Sequence, residues 1–256
     1  MTRSISLTTA AGRHFLTDRI RQEVDFRNTA QSRGQEPPAP QKAPLPGAET
    51  IILPGIHTLN IPPIDLATAI GCRESRRQYL DDPFSMEELS FLLWVTQGVR
   101  SIQHRAAILR TVPSAGCRHP LETYLAIQRV TGLENGIYRY LPLDHALVCE
   151  KMFSSADLST RLVAATHGQG FTGKAALTFV WTTLPIRTEW RYGQASYKVI
   201  ALEAGHVCQN LYLACEAIDA GTCAIAAYDQ GLMDELLGVD GYDEFVIYLA
   251  PVGKVR

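Results

Sequence analysis

The sequence predicts an α+β domain behind a proline-rich leader. Strand-length apolar runs and helix-length amphipathic stretches alternate irregularly, without the regular βαβ spacing of a parallel sheet. Three consecutive strand-type runs are joined by turns containing Gly or Pro, the pattern of an antiparallel meander. The 256 residues are 46% hydrophobic, which supplies enough apolar side chains for one substantial core.

Taken in order, residues 12–29 carry mixed charge with apolar positions Phe15, Leu16, Ile20, Val24 and Phe26, and predict a surface helix. Prolines 37, 38, 40, 44, 46, 54, 62 and 63 then predict an extended, helix-free strap over residues 31–63, wrapped around the domain or a partner. The chain thus divides into a leader, 1–63, and a folded unit, 64–256. The folded unit opens with a helix at 65–71. A second helix at 85–97 has Ser85 as N-cap and Glu88 three residues on, a capping-box spacing that turns Leu89, Leu92, Leu93 and Val95 to the core. Strands are expected at 122–130, 136–141 and 146–150, then a helix at 156–166, a strand at 175–184 and the longest helix at 197–218. A strand at 222–227, a helix at 232–237 and a strand at 244–252 complete the order.

Twenty-four Lys and Arg against 26 Asp and Glu give a net charge of −2, which provides no general attraction to nucleic acid or an anionic membrane and favours a small-molecule partner. No run approaches the roughly 18 apolar residues of a spanning helix, and the amino-terminal stretch lacks a signal-peptide apolar run. The six cysteines form no C-x-x-C pair and mostly lie in apolar runs, so a reduced cytoplasmic protein is expected.

Several motifs bear on chemistry. His167-Gly168-Gln169-Gly170-Phe171-Thr172-Gly173-Lys174 matches a glycine-rich nucleotide pattern. A helix precedes it and a strand follows, the reverse of what phosphate binding at a helix N-terminus needs, so it reads as a plain turn. Arg73, Ser75 and Arg77 alternate along an extended stretch and together present two guanidinium forks and a hydroxyl, a donor set suited to phosphate; a solvated charged turn is the competing reading. The small-residue loop around Ser114, Ala115 and Gly116 lets backbone approach a planar ligand or a second subunit. Cys117 and His119 lack the further ligands of a metal site, and no metal is expected. The 197–218 helix is apolar nearly all round, with small residues at 201, 204, 205, 208 and 215, which suits close packing against a partner helix; His206 reads as a hydrogen-bonded core or interface residue. At 221–229 minimal side chains leave backbone N–H groups able to face a cofactor or simply to form a tight turn.

In sequence, the blocks CRESRRQYLDDP, LSFLLWVTQGV, VPSAGCRHPLETY, GIYRY, EWRYG, EAGHVCQNLYLA and APVGK resemble the nitroreductase superfamily over about residues 65–254, and within it the SagB-type branch of thiazoline and oxazoline dehydrogenases. The resemblance implies a nitroreductase-like mixed antiparallel sheet flanked by helices, in an intertwined homodimer that shares paired FMN sites. It implies that Arg73, Ser75 and Arg77 hold the FMN phosphate and ribityl end, with Lys254 and Arg256 reaching the same phosphate. Ser114, Ala115 and Gly116 fall in a loop that lies near the flavin, often from the partner subunit. Ala226 and Ala227 fall where better-known relatives carry a Glu-Gly pair whose backbone N–H meets flavin N5. Azoline-oxidising relatives use a Lys-Tyr pair; the stretch here reads Tyr197-Lys198-Val199, so Lys198 is the candidate base and the tyrosine after it is missing. The implied activity is FMN-dependent two-electron hydride transfer on a small organic or peptide-derived substrate, with NAD(P)H a possible electron donor. The alternative is a non-catalytic flavin-binding or scaffold subunit of a peptide-modifying complex.

Overall fold

The computed structural model describes residues 7–104 and 107–256. Among these, one sheet of seven strands carries the fold: β1 (Thr50–Ile52), β4 (Leu121–Ile127), β5 (Gly136–Leu141), β6 (Ala146–Met152), β7 (Leu177–Thr183), β8 (Ala220–Thr222) and β9 (Phe245–Lys254), in the order β1-β6-β5-β4-β7-β9-β8. Every pair is antiparallel. An isolated parallel bridge sets Ser75 beside Thr222, so the mixed antiparallel sheet flanked by helices is the architecture found. A separate hairpin, β2 (Val99–His104) with β3 (Ala107–Arg110), was not expected from sequence.

Both faces of the sheet are covered, which explains why β4 and β7 are buried along their whole length. On one face Leu125, Phe179 and Trp181 pack with α4 (Met86–Gln97) and α7 (Ser196–Cys215), through Leu89, Leu92, Leu93, Val207 and Leu211. On the other, Tyr124, Ala126 and Val180 meet α5 (Ser155–Ala165) and α8 (Gln230–Leu237), through Leu158, Leu162, Met233 and Leu236. Fully burying each such side chain contributes about 1.5–3 kcal/mol.

Local chemistry sets the helix starts. Ser85 accepts from Glu88 N while the Glu88 carboxylate accepts from Ser85 N, the reciprocal box expected at that spacing. Asp65, Ser154 and Asp229 cap α3 (Leu66–Cys72), α5 and α8 with one half of that box, each side chain accepting from a backbone N–H three residues on. Val95 is only partly buried, at the edge of the core rather than within it.

Four expectations are corrected. The single helix over residues 12–29 is instead α1 (Leu7–Leu16), α2 (Ile20–Glu23) and a 3₁₀ turn at Phe26–Asn28; Thr17 bonds back to His14 through both its amide and its hydroxyl, ending α1. The strap is not helix-free: extended where it forms edge strand β1, it also carries a 3₁₀ turn at Ile56–Thr58. The strand at 222–227 shrinks to β8, with Ile225 alone bridging to Leu249. Helix α6 (Ile186–Tyr192) was missed between β7 and α7.

The strap wraps its own domain. Arg139, buried in β5, donates to the carbonyls of Lys42 and Ala43 and to Glu150, while buried Arg110 donates to Pro40 O at 2.8 Å. Lys42 donates its amide to Glu122 and its ammonium to Glu244 and Tyr124. Unpaired strap carbonyls thus satisfy guanidinium groups that the core could not otherwise bury.

Candidate functional site

The segment after α3 is fixed to the free edge of the sheet. Arg76 N donates to Thr222 O and Leu80 N to Lys254 O, both at 2.9 Å, and the Tyr79 hydroxyl lies 2.9 Å from Arg76 O and 3.1 Å from Pro251 O. Close approach here needs glycine: a Cβ at Gly221 would come within 2.5 Å of the Arg76 side chain. The segment, with Val255 and Arg256, lines a cleft of about 590 Å³ that includes Ser75 and Arg77.

Charge in this cleft, and at Arg73 next to it in sequence, is unbalanced. Arg76 is neutralised by Glu74 at 3.0 Å and faces Glu216 at 3.9 Å. Among the described residues Arg73, Arg77 and Arg256 make no ion pair; Arg73 stacks on the Tyr212 ring, 5.4 Å from its centroid, and Arg77 on Phe171 at 5.9 Å. Three guanidinium groups and the Ser75 hydroxyl therefore remain for an anion that accepts several hydrogen bonds, and a phosphate monoester fits that donor set. Lys254 is differently placed, its ammonium held by Glu88 and by Ile218 O at 2.7 Å.

Tyr212, which sequence reading missed, ties this wall to the next. Its hydroxyl is 3.0 Å from Ser75 Oγ and accepts from Ala224 N at 2.7 Å. Ala226 and Ala227 follow, both exposed. Gln169 of the 167–174 turn donates to Ala227 O at 3.1 Å, and Phe171 of the same turn lies under Arg77, so the turn rejected as a nucleotide motif forms a further border of this region.

Two predicted pieces lie elsewhere in the chain. Ser114, Ala115 and Gly116 enter a 3₁₀ turn where Gly116 has φ 59°; a Cβ there would stand 2.7 Å from Arg191 Cδ. Ser114 Oγ accepts from His119 N at 2.9 Å and bonds to the Glu203 carboxyl of α7. Glu203 is nine residues, about 13 Å along the helix, from Tyr212. Lys198, near the start of α7, is half-buried beside His14, Phe15 and Ile20, about 21 Å along the helix from Tyr212. His206 is exposed rather than buried in this chain.

Glu203 is the second residue that sequence reading passed over. It is 4% exposed, and burial raises its carboxyl to about 7 against the pull of Ser114 and Arg110. His119 lies 2.6 Å through Nε2 from Ile108 O, a carbonyl that can only accept, so the neutral ring keeps its proton on Nε2. Its bare Nδ1 then faces Glu203 at 3.8 Å, where an ionised carboxylate would be repelled. Burial and the neighbouring Arg110 hold His119 down at about 3, so at pH 7 the ring is neutral and the contact is not an ion pair, while Glu203 is near the midpoint of its own titration.

Comparison with known proteins agrees with this architecture. The family model described as "Nitroreductase family" matches residues 70–254. A Methanocaldococcus jannaschii protein that carries a provisional nitroreductase name is 31% identical over 199 residues, covering 78% of this chain and 96% of the relative. The trifolitoxin-processing protein TfxB of Rhizobium leguminosarum bv. trifolii is 24% identical over 137 residues, 53% of this chain and 37% of that protein. A crystal structure from Anabaena variabilis, also provisionally named a nitroreductase, superposes with a TM-score of 0.69 at 26% identity; it covers 84% of this chain, which spans only 43% of that longer one. With a family model over most of its length and a relative at this level of identity, the chain belongs to the nitroreductase family.

Proposed function

We propose that this protein is an FMN-dependent oxidoreductase that transfers two electrons, as hydride, to or from a small organic or peptide-derived substrate. The observation that carries the reading is the cleft at residues 74–80 and 255–256, where Arg77 and Arg256, and Arg73 next to the cleft in sequence, lack counter-charges beside the Ser75 hydroxyl. These side chains would hold the phosphate, and the exposed backbone at Ala226 and Ala227, linked to the same wall through Tyr212, would meet the redox-active ring. Bound FMN supplies hydride chemistry that no side chain offers.

The remaining roles need a second subunit. Ser114 to Gly116 and Lys198 lie apart from the cleft within one chain, and the exposed face of α7, with Ala201, Leu202 and Gly205, is a surface through which a homodimer would bring them to it. Lys198 would then act as a base, or as a donor of charge to the substrate. The SagB-type reading and a peptide-derived substrate draw support from the likeness to the trifolitoxin-processing protein; NAD(P)H is the donor proposed for the reductive direction. No helix among the described residues is long and apolar enough to cross a membrane.

The test is an absorbance spectrum of the purified protein, followed anaerobically after addition of NADPH or NADH. A flavin spectrum that bleaches is expected for a reductase. A flavin spectrum that persists moves the reading to substrate dehydrogenation or to a non-catalytic flavin-binding subunit, and a protein that takes up no flavin on reconstitution overturns it.

A further inference from the structure

We propose that Tyr212 is a positioning residue for phosphate recognition, fastening Arg73 and Ser75 to the Ala224 backbone so that both donors are ordered before an anionic ligand arrives. The proposal rests on the flavin reading above and names the residue that makes its phosphate wall rigid.

Three contacts converge on this one side chain. The ring carries the Arg73 guanidinium at 5.4 Å, the hydroxyl receives the Ala224 amide proton at 2.7 Å, and the same hydroxyl lies 3.0 Å from Ser75 Oγ. Proton counting allows the last bond in either direction, and the one with Tyr212 as donor frees the serine proton. A phenol has one proton and two lone pairs. With one lone pair taken by Ala224 N–H, its proton is free for Ser75 Oγ, and that leaves the serine proton to point into the cleft. An anion at the cleft selects this arrangement, because it needs donors and is repelled by lone pairs. Arg73 makes no ion pair among the described residues, so without the ring beneath it the side chain would sample several rotamers and lose that freedom on binding. Its stacking on Tyr212 places that loss in folding instead.

Position in the fold reinforces the point. Tyr212 projects from α7, the long helix packed on the core, whereas Arg73 and Ser75 lie on an extended segment joined to β8 by a single bridge. A helix anchored by Val207, Cys208, Leu211 and Cys215 gives the phenol a fixed origin. The Ser75 side chain it holds has no such burial of its own, being exposed.

Tyr212→Phe separates this role from a general one, because it keeps the ring under Arg73 and removes only the hydroxyl. FMN and riboflavin, which lacks the phosphate, would each be titrated into wild type and variant by flavin fluorescence quenching. The expected result is an FMN affinity lowered about tenfold, with riboflavin affinity changed by less than about twofold. Unchanged FMN affinity overturns the proposal, and so does an equal loss for both flavins, which would mark a damaged cleft. Should Tyr212→Phe fold poorly by circular dichroism, Tyr212→Trp, which also keeps a ring beneath Arg73 and lacks the phenol hydroxyl, reads the same link. Its loss must be confined to FMN, and a loss shared with riboflavin overturns the proposal. A wild-type protein that binds neither flavin overturns the flavin reading itself, an outcome separate from any failure of Tyr212.

Discussion

Glu203 shows how one residue's surroundings become a measurable property. Its carboxyl faces Ser114, the bare Nδ1 of His119 and, further off, Arg110; Arg187 and Glu122 lie in the next shell of the same buried group. An acid with a folded pKa of about 7, against 4.5 as the ordinary value, binds its proton more tightly folded than unfolded. The folded state is therefore favoured at low pH, and stability attached to this group falls as pH rises from about 4.5 and is gone above about 7. Glu203→Gln, which keeps the shape without the titration, should flatten that slope: unfolding free energies from denaturant titrations at pH 5 and pH 8 should differ by less in the variant, by up to about 3 kcal/mol. An identical pH slope in both proteins would show that Glu203 is ionised throughout. Sequence gave no sign of this residue, since a Glu in a helix reads as solvated and only its packing against the 114–119 loop buries it. Tyr212 was hidden for the same reason, lying 137 residues from Ser75 in the chain.

At the scale of elements, short-range chemistry was largely legible. The capping box at Ser85 and Glu88 was predicted at its two residues and found there, because both bonds depend only on spacing along the chain. Ser85→Ala should cost about 1 kcal/mol and lower the melting temperature by roughly 2–4 °C in a thermal scan; no shift would show that α4 is held by core contacts alone. The Arg73, Ser75, Arg77 alternation was legible too, because the segment is extended and side chains alternate along it. Less legible were the strap and α6. Prolines announce the absence of regular helix but not that the carbonyls of Pro40, Lys42 and Ala43 receive buried guanidinium groups. Residues 222–227 look like a strand by composition, yet within them only Thr222, the last residue of β8, and the single bridge at Ile225 find a partner in β9.

For the whole molecule, the helix α7 divides its surface between two uses. Ile200, Glu203, Ala204, Val207 and Leu211 are buried in the chain's own core, while Ala201, Leu202, Gly205 and His206 are exposed. A Cβ at Gly205 would meet nothing within 4 Å, so nothing within one chain requires glycine at this helical position, where it costs about 1 kcal/mol relative to alanine. A partner subunit packed closely on that face would supply the requirement. Gly205→Arg should then leave the folded monomer intact by circular dichroism and convert a dimer to a monomer in light scattering. A wild-type monomer, or a variant that still dimerises, would remove this face from the assembly.

What the sequence determined by itself is the α+β class, most helix starts, the order of the strands along the chain and the alternation of Arg73, Ser75 and Arg77, because each depends on periodicity, capping or alternation within a few residues. Tertiary structure alone decided the strand order across the sheet, the burial of Glu203, the anchoring of Ser75 by Tyr212, the diversion of Lys254 to Glu88 and the distance of Ser114 and Lys198 from the cleft. Those features are set by contacts between residues far apart in the chain, whose free energies come from desolvation and mutual hydrogen bonding, and neither exists until the layers have packed.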